Sequence, residues 1–389
     1  MARRRRVLVL GASGSIGRQC LDIIASRPDL FELAGLQARA DGSFLKDARD
    51  RLGPCPLCLS GEASPIQGVD YVGEGGILRL IRESGADICV NGIAGSPGLI
   101  PSFACAEIGM RLALANKESL VMAGKALLHL AAATGSKIIP VDSEHASARA
   151  LINGMRGNEG KEIAELILTA SGGPFRAWDA ARIARASPEE ASAHPTWRMG
   201  RKISIDSASM ANKGLEVIEA AMLFGLPPER IKVAIQAESL VHALIRCADG
   251  ALFAHISKPD MRLPIYNALI DGMDPAPPHL ERYGELDFGA AFSISFEPPD
   301  GARFPMLPLA YEALNLGDAA CAAYTAADEV AVEAFCDGRI AFGDIAAVVG
   351  HAVRSAASTK IESASAALEA AAKARACAID AIKLIRARK

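Results

Sequence analysis

A continuous apolar strand that runs straight into a glycine turn constrains this chain more than any other feature. Arg6–Leu10 reads RVLVL, and Gly11-Ala-Ser-Gly-Ser-Ile-Gly17 follows at once. A run apolar on both faces suits a parallel strand covered by helices, because a strand with one wet face would alternate. Glycines at 11, 14 and 17 give G-x-x-G-x-x-G, a variant of the dinucleotide fingerprint. Such a turn lets the backbone N–H groups at a helix start approach a pyrophosphate. Ile16 to Ala25 then has helical spacing, with Leu21 and Ile24 inward, and Phe31–Gln37 reads as a second strand. Strand, turn, helix, strand is a βαβ unit.

The alternation continues. Helices are expected at Ile77–Glu83, Gly98–Ile108 and Leu120–Ala133, and strands at Asp87–Asn91, Arg111–Ala115 and Lys137–Val141. The pattern predicts an α/β protein whose N-terminal domain, residues 1–145, is Rossmann-like and doubly wound. Residues 146–271 read as a central α+β catalytic domain, with strands at Glu165–Thr169 and Val233–Ile235 and a helix over Met210–Phe224. Residues 272–301, rich in Pro, Asp and Gly, read as a linker, and 302–389 as a C-terminal helical bundle with helices near 308–316, 321–336, 342–356 and 360–387.

Apolar residues make up 50% of the chain, enough for a sizeable core, and the net charge of -3 argues against nucleic acid or an anionic membrane as a partner. The basic start, Met1-Ala-Arg-Arg-Arg-Arg, is followed by too short an apolar run for a signal peptide. No stretch has the length of a membrane helix. Nine cysteines, an odd number at irregular spacing, fit reduced thiols in a cytoplasm. Cys55-Pro-Leu-Cys58 is a lone CxxC with no second ligand pair, and reads as two thiols in a surface turn.

Several segments carry polar chemistry. The second strand ends Gln37-Ala-Arg39-Ala-Asp41. Arg39 suits the 2′-phosphate of NADP, whereas Asp41 suits the free ribose hydroxyl of NAD; the balance favours NADP. Asp142 and Glu144 follow an apolar strand, and on an extended segment they share one face. Two such carboxylates repel unless a cation bridges them, and their oxygens suit Mg²⁺ or Mn²⁺. Ser171-Gly-Gly-Pro174 offers small residues to an anion. The stretch from Ser207 through Asn212 and Lys213 to Glu216 starts a helix, and Glu216 lies one turn beyond Asn212 on the same face. A Ser207 cap with a surface Lys213–Glu216 pair fits the same pattern. His194-Pro-Thr-Trp197-Arg-Met199-Gly200 suits a closing loop or a packed turn.

Taken in order, these segments resemble the 1-deoxy-D-xylulose 5-phosphate reductoisomerase family. The runs that carry the resemblance are GASGSIG at 11–17, LANKESLV at 114–121, PVDSEH at 140–145, SGGPF at 171–175, HPTWRMGRKISIDSASMANKGLE at 194–216 and KPDMR at 258–262. The resemblance implies rearrangement and NADPH-dependent reduction of a small phosphorylated sugar by a homodimer. It implies that Asp142, Glu144 and Glu216 bind a divalent metal (magnesium, manganese or cobalt) and that Ser143 meets a substrate hydroxyl. Ser171, Ser207, Asn212 and Lys213 would hold the phosphate, and His194 and Trp197 the loop over substrate. Ser13, Gly14, Ser15 and Ile16 would line the cofactor phosphates, with Asn116, Lys117 and Glu118 near cofactor and substrate. Met199, Gly200 and Met261 would flank the nicotinamide. Lys117, Glu144, His194 and Glu216 would carry the catalytic roles.

Two departures from the family pattern stand out. The expected His-Pro-Gln-Ser is Gln236-Ala-Glu-Ser239 here, with His242 kept, and Asp41 stands where the family carries Asn. Two alternatives remain at this stage: an NADP-dependent semialdehyde or homoserine-type dehydrogenase, and an NADPH-binding regulatory relative without catalysis.

Overall fold

The computed structural model describes residues 3–155, 162–193, 200–274, 282–289, 291–356 and 358–387. The chain divides into two compact units. One comprises Met1–Ser119, Leu127–Ala146 and Asp260–Tyr283; the other comprises Leu120–Ala126, Ser147–Pro259 and Gly284–Lys389.

The first unit is built on a seven-stranded parallel sheet of β1 (Arg5–Leu10), β2 (Phe31–Ala38), β3 (Leu57–Leu59), β4 (Tyr71–Val72), β5 (Ile88–Asn91), β6 (Arg111–Leu114) and β7 (Ile138–Pro140), in the order β4-β3-β2-β1-β5-β6-β7. The order reverses at β1, where the chain leaves the strand through the glycine turn. Ligands of doubly wound folds bind at such a switch point. Val7, Val9, Ile88 and Val90 are completely buried, as a two-sided sheet requires.

The sequence places residues 146–271 in a single domain. The structure instead assigns Asp260–Tyr283 to the first unit. The reason is packing. The helix Arg262–Ile270 buries Ile265, Tyr266, Ala268 and Leu269 in the same core as β1 and β2. Arg27 donates to the Tyr266 hydroxyl at 2.8 Å, and Arg5 donates to the carbonyls of Leu269 at 2.6 Å and Asp271 at 2.8 Å.

The second unit has a four-stranded mixed sheet of β8 (Ile163–Ala170), β9 (Ile231–Ile235), β10 (Val241–Cys247) and β11 (Leu252–Ile256), ordered β11-β10-β8-β9. β8 and β9 are parallel, whereas β10 runs antiparallel to both β8 and β11. The C-terminal helices Met306–Leu316, Asp318–Cys336, Ile345–Ser355 and Ala364–Ala387 share one hydrophobic core with this sheet and with the helix Ala211–Phe224. The expected separate helical bundle is therefore joined to the α+β segment rather than standing apart. Gly214 shows how closely the parts meet: a Cβ there would lie 2.3 Å from the Tyr324 hydroxyl. Among the described residues, no helix is long and apolar enough to cross a membrane.

Candidate active site

In the first unit, the turn after β1 has the form a nucleotide phosphate needs. Gly11 has φ +72°, and a Cβ on it would come within 2.6 Å of the Gly92 carbonyl oxygen. Its N–H donates to Gln37 Oε1 at 2.8 Å, which ties the turn to the end of β2. The helix Ser15–Ser26 starts after Gly14 with neither a capping side chain nor an acidic residue in its first turn. Its first N–H groups are thus left to an external acceptor. Ser13 and Ile16 are half-buried, and Gly14 and Ser15 are exposed at the mouth of the turn.

Asn116 caps the helix Lys117–Thr134 by accepting from the Ser119 N–H at 3.1 Å. Its amide nitrogen donates to the carbonyls of Ile93 at 2.7 Å and Gly95 at 2.8 Å, and to Glu118 Oε2 at 3.0 Å. Glu118 Oε1 accepts from the Gly95 N–H at 3.2 Å. Asn116 and Glu118 therefore shape the loop after β5 from within. Lys117 turns the other way, to Asp142.

Asp142 and Glu144 do meet at the end of a strand, but not by strand alternation. Pro140 ends β7, and a helix begins at Ser143, so Glu144 stands in its first turn. The Glu144 N–H donates to Asp142 Oδ1 at 3.3 Å, and Ser143 Oγ donates to Glu144 Oε2 at 2.7 Å. Asp142 Oδ2 accepts from Lys117 Nζ at 2.7 Å, and the fully buried His145 ring approaches Asp142 Oδ1 at 3.3 Å. His145 belongs to the sequence run that drew attention to Asp142, yet sequence reasoning gives it no role; its burial beneath the carboxylate supplies one. Met261, half-buried, packs against the core of this unit beside the helix it precedes.

In the second unit, Ser207 does not begin a helix as expected. It lies inside the helix Arg201–Ser209, which Gly200 precedes as N-cap. Met210, at φ 64°, breaks the chain before a second helix starts at Ala211. The break puts Asn212, Lys213 and Glu216 on the first turns of the new helix. Asn212 Nδ2 and Lys213 Nζ both donate to the Glu216 carboxylate. Lys213 is 4% and Glu216 1% exposed, which rules out an ordinary surface pair. Ser171, in the turn after β8, accepts from the Gly173 N–H at 3.2 Å. The same unit holds a polar network that sequence reasoning missed: Lys202 donates to Asp206 and, at 2.7 Å, to the fully buried Asp328. Only the i,i+4 spacing of Lys202 and Asp206 hints at it in the sequence. His194, Trp197 and Met199 lie outside the described residues.

The altered segment after β9 is absorbed by local bonding. Gln236 is completely buried, and its Oε1 accepts from the N–H groups of Leu240 at 2.8 Å and Val241 at 3.2 Å. Glu238 accepts from Ser295 Oγ at 2.6 Å, a bond that holds its carboxyl below the usual range. Arg39 is exposed at the end of β2, whereas Asp41 caps the helix Gly42–Leu52 through the Phe44 N–H. Cys55 and Cys58 are free thiols; Cys58 sits buried in β3, not in a surface turn, and burial pushes its pKa up to about 12.

Three family models match in succession: 1-deoxy-D-xylulose 5-phosphate reductoisomerase over residues 7–124, its C-terminal domain over 138–224, and DXP reductoisomerase C-terminal domain over 256–377. The curated 1-deoxy-D-xylulose 5-phosphate reductoisomerase of Treponema denticola is 44% identical over 353 residues, covering 90% of each chain. That of Mycobacterium avium is 44% identical over 91% of this chain and 85% of its own. A solved DOX-P reductoisomerase in complex with NADPH, fosmidomycin and magnesium superposes with TM-score 0.89 at 34% identity, covering 98% of this chain and 99% of that one. The Zymomonas mobilis enzyme in complex with NADPH gives TM-score 0.86 at 35% identity over 98% and 99%.

Proposed function

Because this chain belongs to the 1-deoxy-D-xylulose 5-phosphate reductoisomerase family, we propose that it converts 1-deoxy-D-xylulose 5-phosphate to 2-C-methyl-D-erythritol 4-phosphate with NADPH and a divalent cation, a step toward isoprenoid precursors. The observation that carries this reading is that one chain holds both an uncapped helix start after the glycine turn and two dry carboxylates, Asp142 and Glu216, each oriented by a lysine ammonium.

The residues fit both groups. N–H donors at Ser15 and Ile16, at the uncapped helix start, with the Gly14 backbone and the Ser13 and Ser15 hydroxyls beside them, suit a pyrophosphate. Asp142, Glu144 and Glu216 offer hard oxygen donors, and in this reading they are the metal ligands. Lys117 and His145 hold Asp142, while Asn212 and Lys213 hold Glu216, the outer support that metal ligands require. When bound, the cation polarises substrate oxygens and the nicotinamide supplies hydride.

The chain's own groups do the rest. Ser171, Ser207, Asn212 and Lys213 bind the substrate phosphate, and that remote binding energy orients the reacting carbons. Ser143 Oγ, which donates to Glu144, accepts from a substrate hydroxyl, and the Lys117 ammonium on Asp142 adds positive charge for the developing negative charge. In this reading Met261 and Gly200 are cofactor contacts, and His194, Trp197 and Met199, outside the described residues, act on substrate and nicotinamide.

The test is NADPH oxidation with 1-deoxy-D-xylulose 5-phosphate, followed at the nicotinamide absorbance with and without Mg²⁺ or Mn²⁺. Substrate- and metal-dependent oxidation is expected. A folded, NADPH-binding protein that oxidises nothing would overturn the reading.

A further inference from the structure

The end of β2 carries two opposed instructions. A carboxylate there accepts the ribose hydroxyls of NAD and repels the 2′-phosphate of NADP. Asp41 is such a carboxylate. In the structure its Oδ1 already accepts from the Phe44 N–H at 3.1 Å and from Ser43 Oγ at 3.1 Å, as the N-cap of the helix Gly42–Leu52. The cap keeps a negative charge on that helix start, so the helix itself offers a phosphate nothing. A 2′-phosphate must find its positive partners elsewhere.

Two guanidinium groups flank the place. Arg39 is exposed at the strand end, its backbone carbonyl fixed by the Gly61 N–H at 2.7 Å. From the glycine turn, Arg18 comes to the helix start that Asp41 caps. Its Nε donates to the Ser13 carbonyl at 2.8 Å, and its guanidinium carbon stands 4.1 Å from the centroid of the Phe44 ring. One side chain thus joins the phosphate turn to the first turn of the helix that follows β2. Stacking and the Nε bond fix its plane and leave the terminal nitrogens for a ligand, the geometry in which arginine is superior to lysine. Neither arginine forms an ion pair among the described residues.

We infer that Arg18 is a specificity-determining residue for the adenosine 2′-phosphate, acting with Arg39, and that Asp41 opposes both. The inference rests on the NADPH reading above. It makes the preference for the phosphorylated cofactor a balance between two cations and one anion.

Calorimetric titration of the full chain, without substrate, tests it with NADPH, NADH, 2′,5′-ADP and 5′-AMP. Arg18→Ala should weaken NADPH and 2′,5′-ADP roughly tenfold or more, the size of a lost charge-assisted hydrogen bond, and leave NADH and 5′-AMP unchanged. Asp41→Asn, which keeps a capping oxygen, should tighten NADPH and loosen NADH. Arg18→Gln replaces Arg18→Ala if the latter fails to fold. Equal losses for phosphorylated and unphosphorylated ligands, or no loss, would overturn the inference while leaving the NADPH reading intact. Wild-type protein that binds neither dinucleotide would overturn both.

Discussion

Lys117 Nζ lies 2.7 Å from Asp142 Oδ2, with the two side chains only 7% and 12% exposed. A pair so dry is held by its partners more than by solvent, and removing one member leaves a charge without compensation. Lys117→Met keeps the aliphatic stem and removes the ammonium. It is expected to lower unfolding stability by about 3 kcal/mol. Asp142→Asn added to it should restore part of that loss, because the stranded carboxylate is then gone. Urea unfolding of the two single variants and the double variant measures the coupling. Additive losses would show that the pair contributes nothing of its own.

Glu216 is the next point of leverage. Both its oxygens are engaged, by Asn212 and Lys213, at 1% exposure, so its orientation is set before any ligand arrives. Glu216→Gln preserves the shape and removes the charge. Turnover at saturating Mg²⁺ should fall about a hundredfold or more, as for a lost metal ligand or its immediate support, while NADPH affinity stays the same. Steady-state kinetics alongside cofactor titration decides this. Near-normal turnover would remove Glu216 from the ligand set.

What the sequence revealed and what it hid follow one physical line. The glycine turn was legible because steric demands on its backbone restrict residue type directly, as at Gly11. The shared face of Asn212 and Glu216 was legible because helical period is local. Strand alternation predicts that Asp142 and Glu144 meet, but Pro140 ends the strand two residues before Asp142, and a helix start, not a pleat, aligns them. Strands β3 and β4, of three and two residues, are too short to display a period. The assignment of Asp260–Tyr283 to the first unit depends on Tyr266 meeting Arg27 across 239 residues, which no local pattern records. Asp328 beside Lys202 is hidden for the same reason, at a separation of 126.

Gly214 gives a prediction on packing alone. A methyl group there would strike the Tyr324 hydroxyl, 2.3 Å away, and that hydroxyl also donates to the Met306 carbonyl at 3.0 Å. Gly214→Ala should cost about 1–3 kcal/mol despite the better helix propensity of alanine. Pairing it with Tyr324→Phe removes the struck atom and should recover part of the loss. Thermal unfolding of the single and double variants checks this; an unchanged or raised Tm for Gly214→Ala alone would refute the steric account.

His255 sets a pH dependence. Its ring nitrogen Nδ1 lies 3.0 Å from Ser147 Oγ, with the His242 ring 6.3 Å away centre to centre, and burial lowers its pKa below the ordinary value. Above an unfolded pKa of about 6.5, both states hold the ring neutral and it contributes nothing to the slope. As pH falls through that value, the unfolded chain takes up a proton that the folded one resists, so stability falls, and the loss ends only below the lowered folded pKa. Wild-type Tm should therefore drop more steeply between about pH 6.5 and 5 than the Tm of His255→Gln, with the two curves parallel near pH 8. Differential scanning fluorimetry across that range makes the comparison. Parallel curves throughout would mean that His255 titrates alike in both states and that its burial carries no proton linkage.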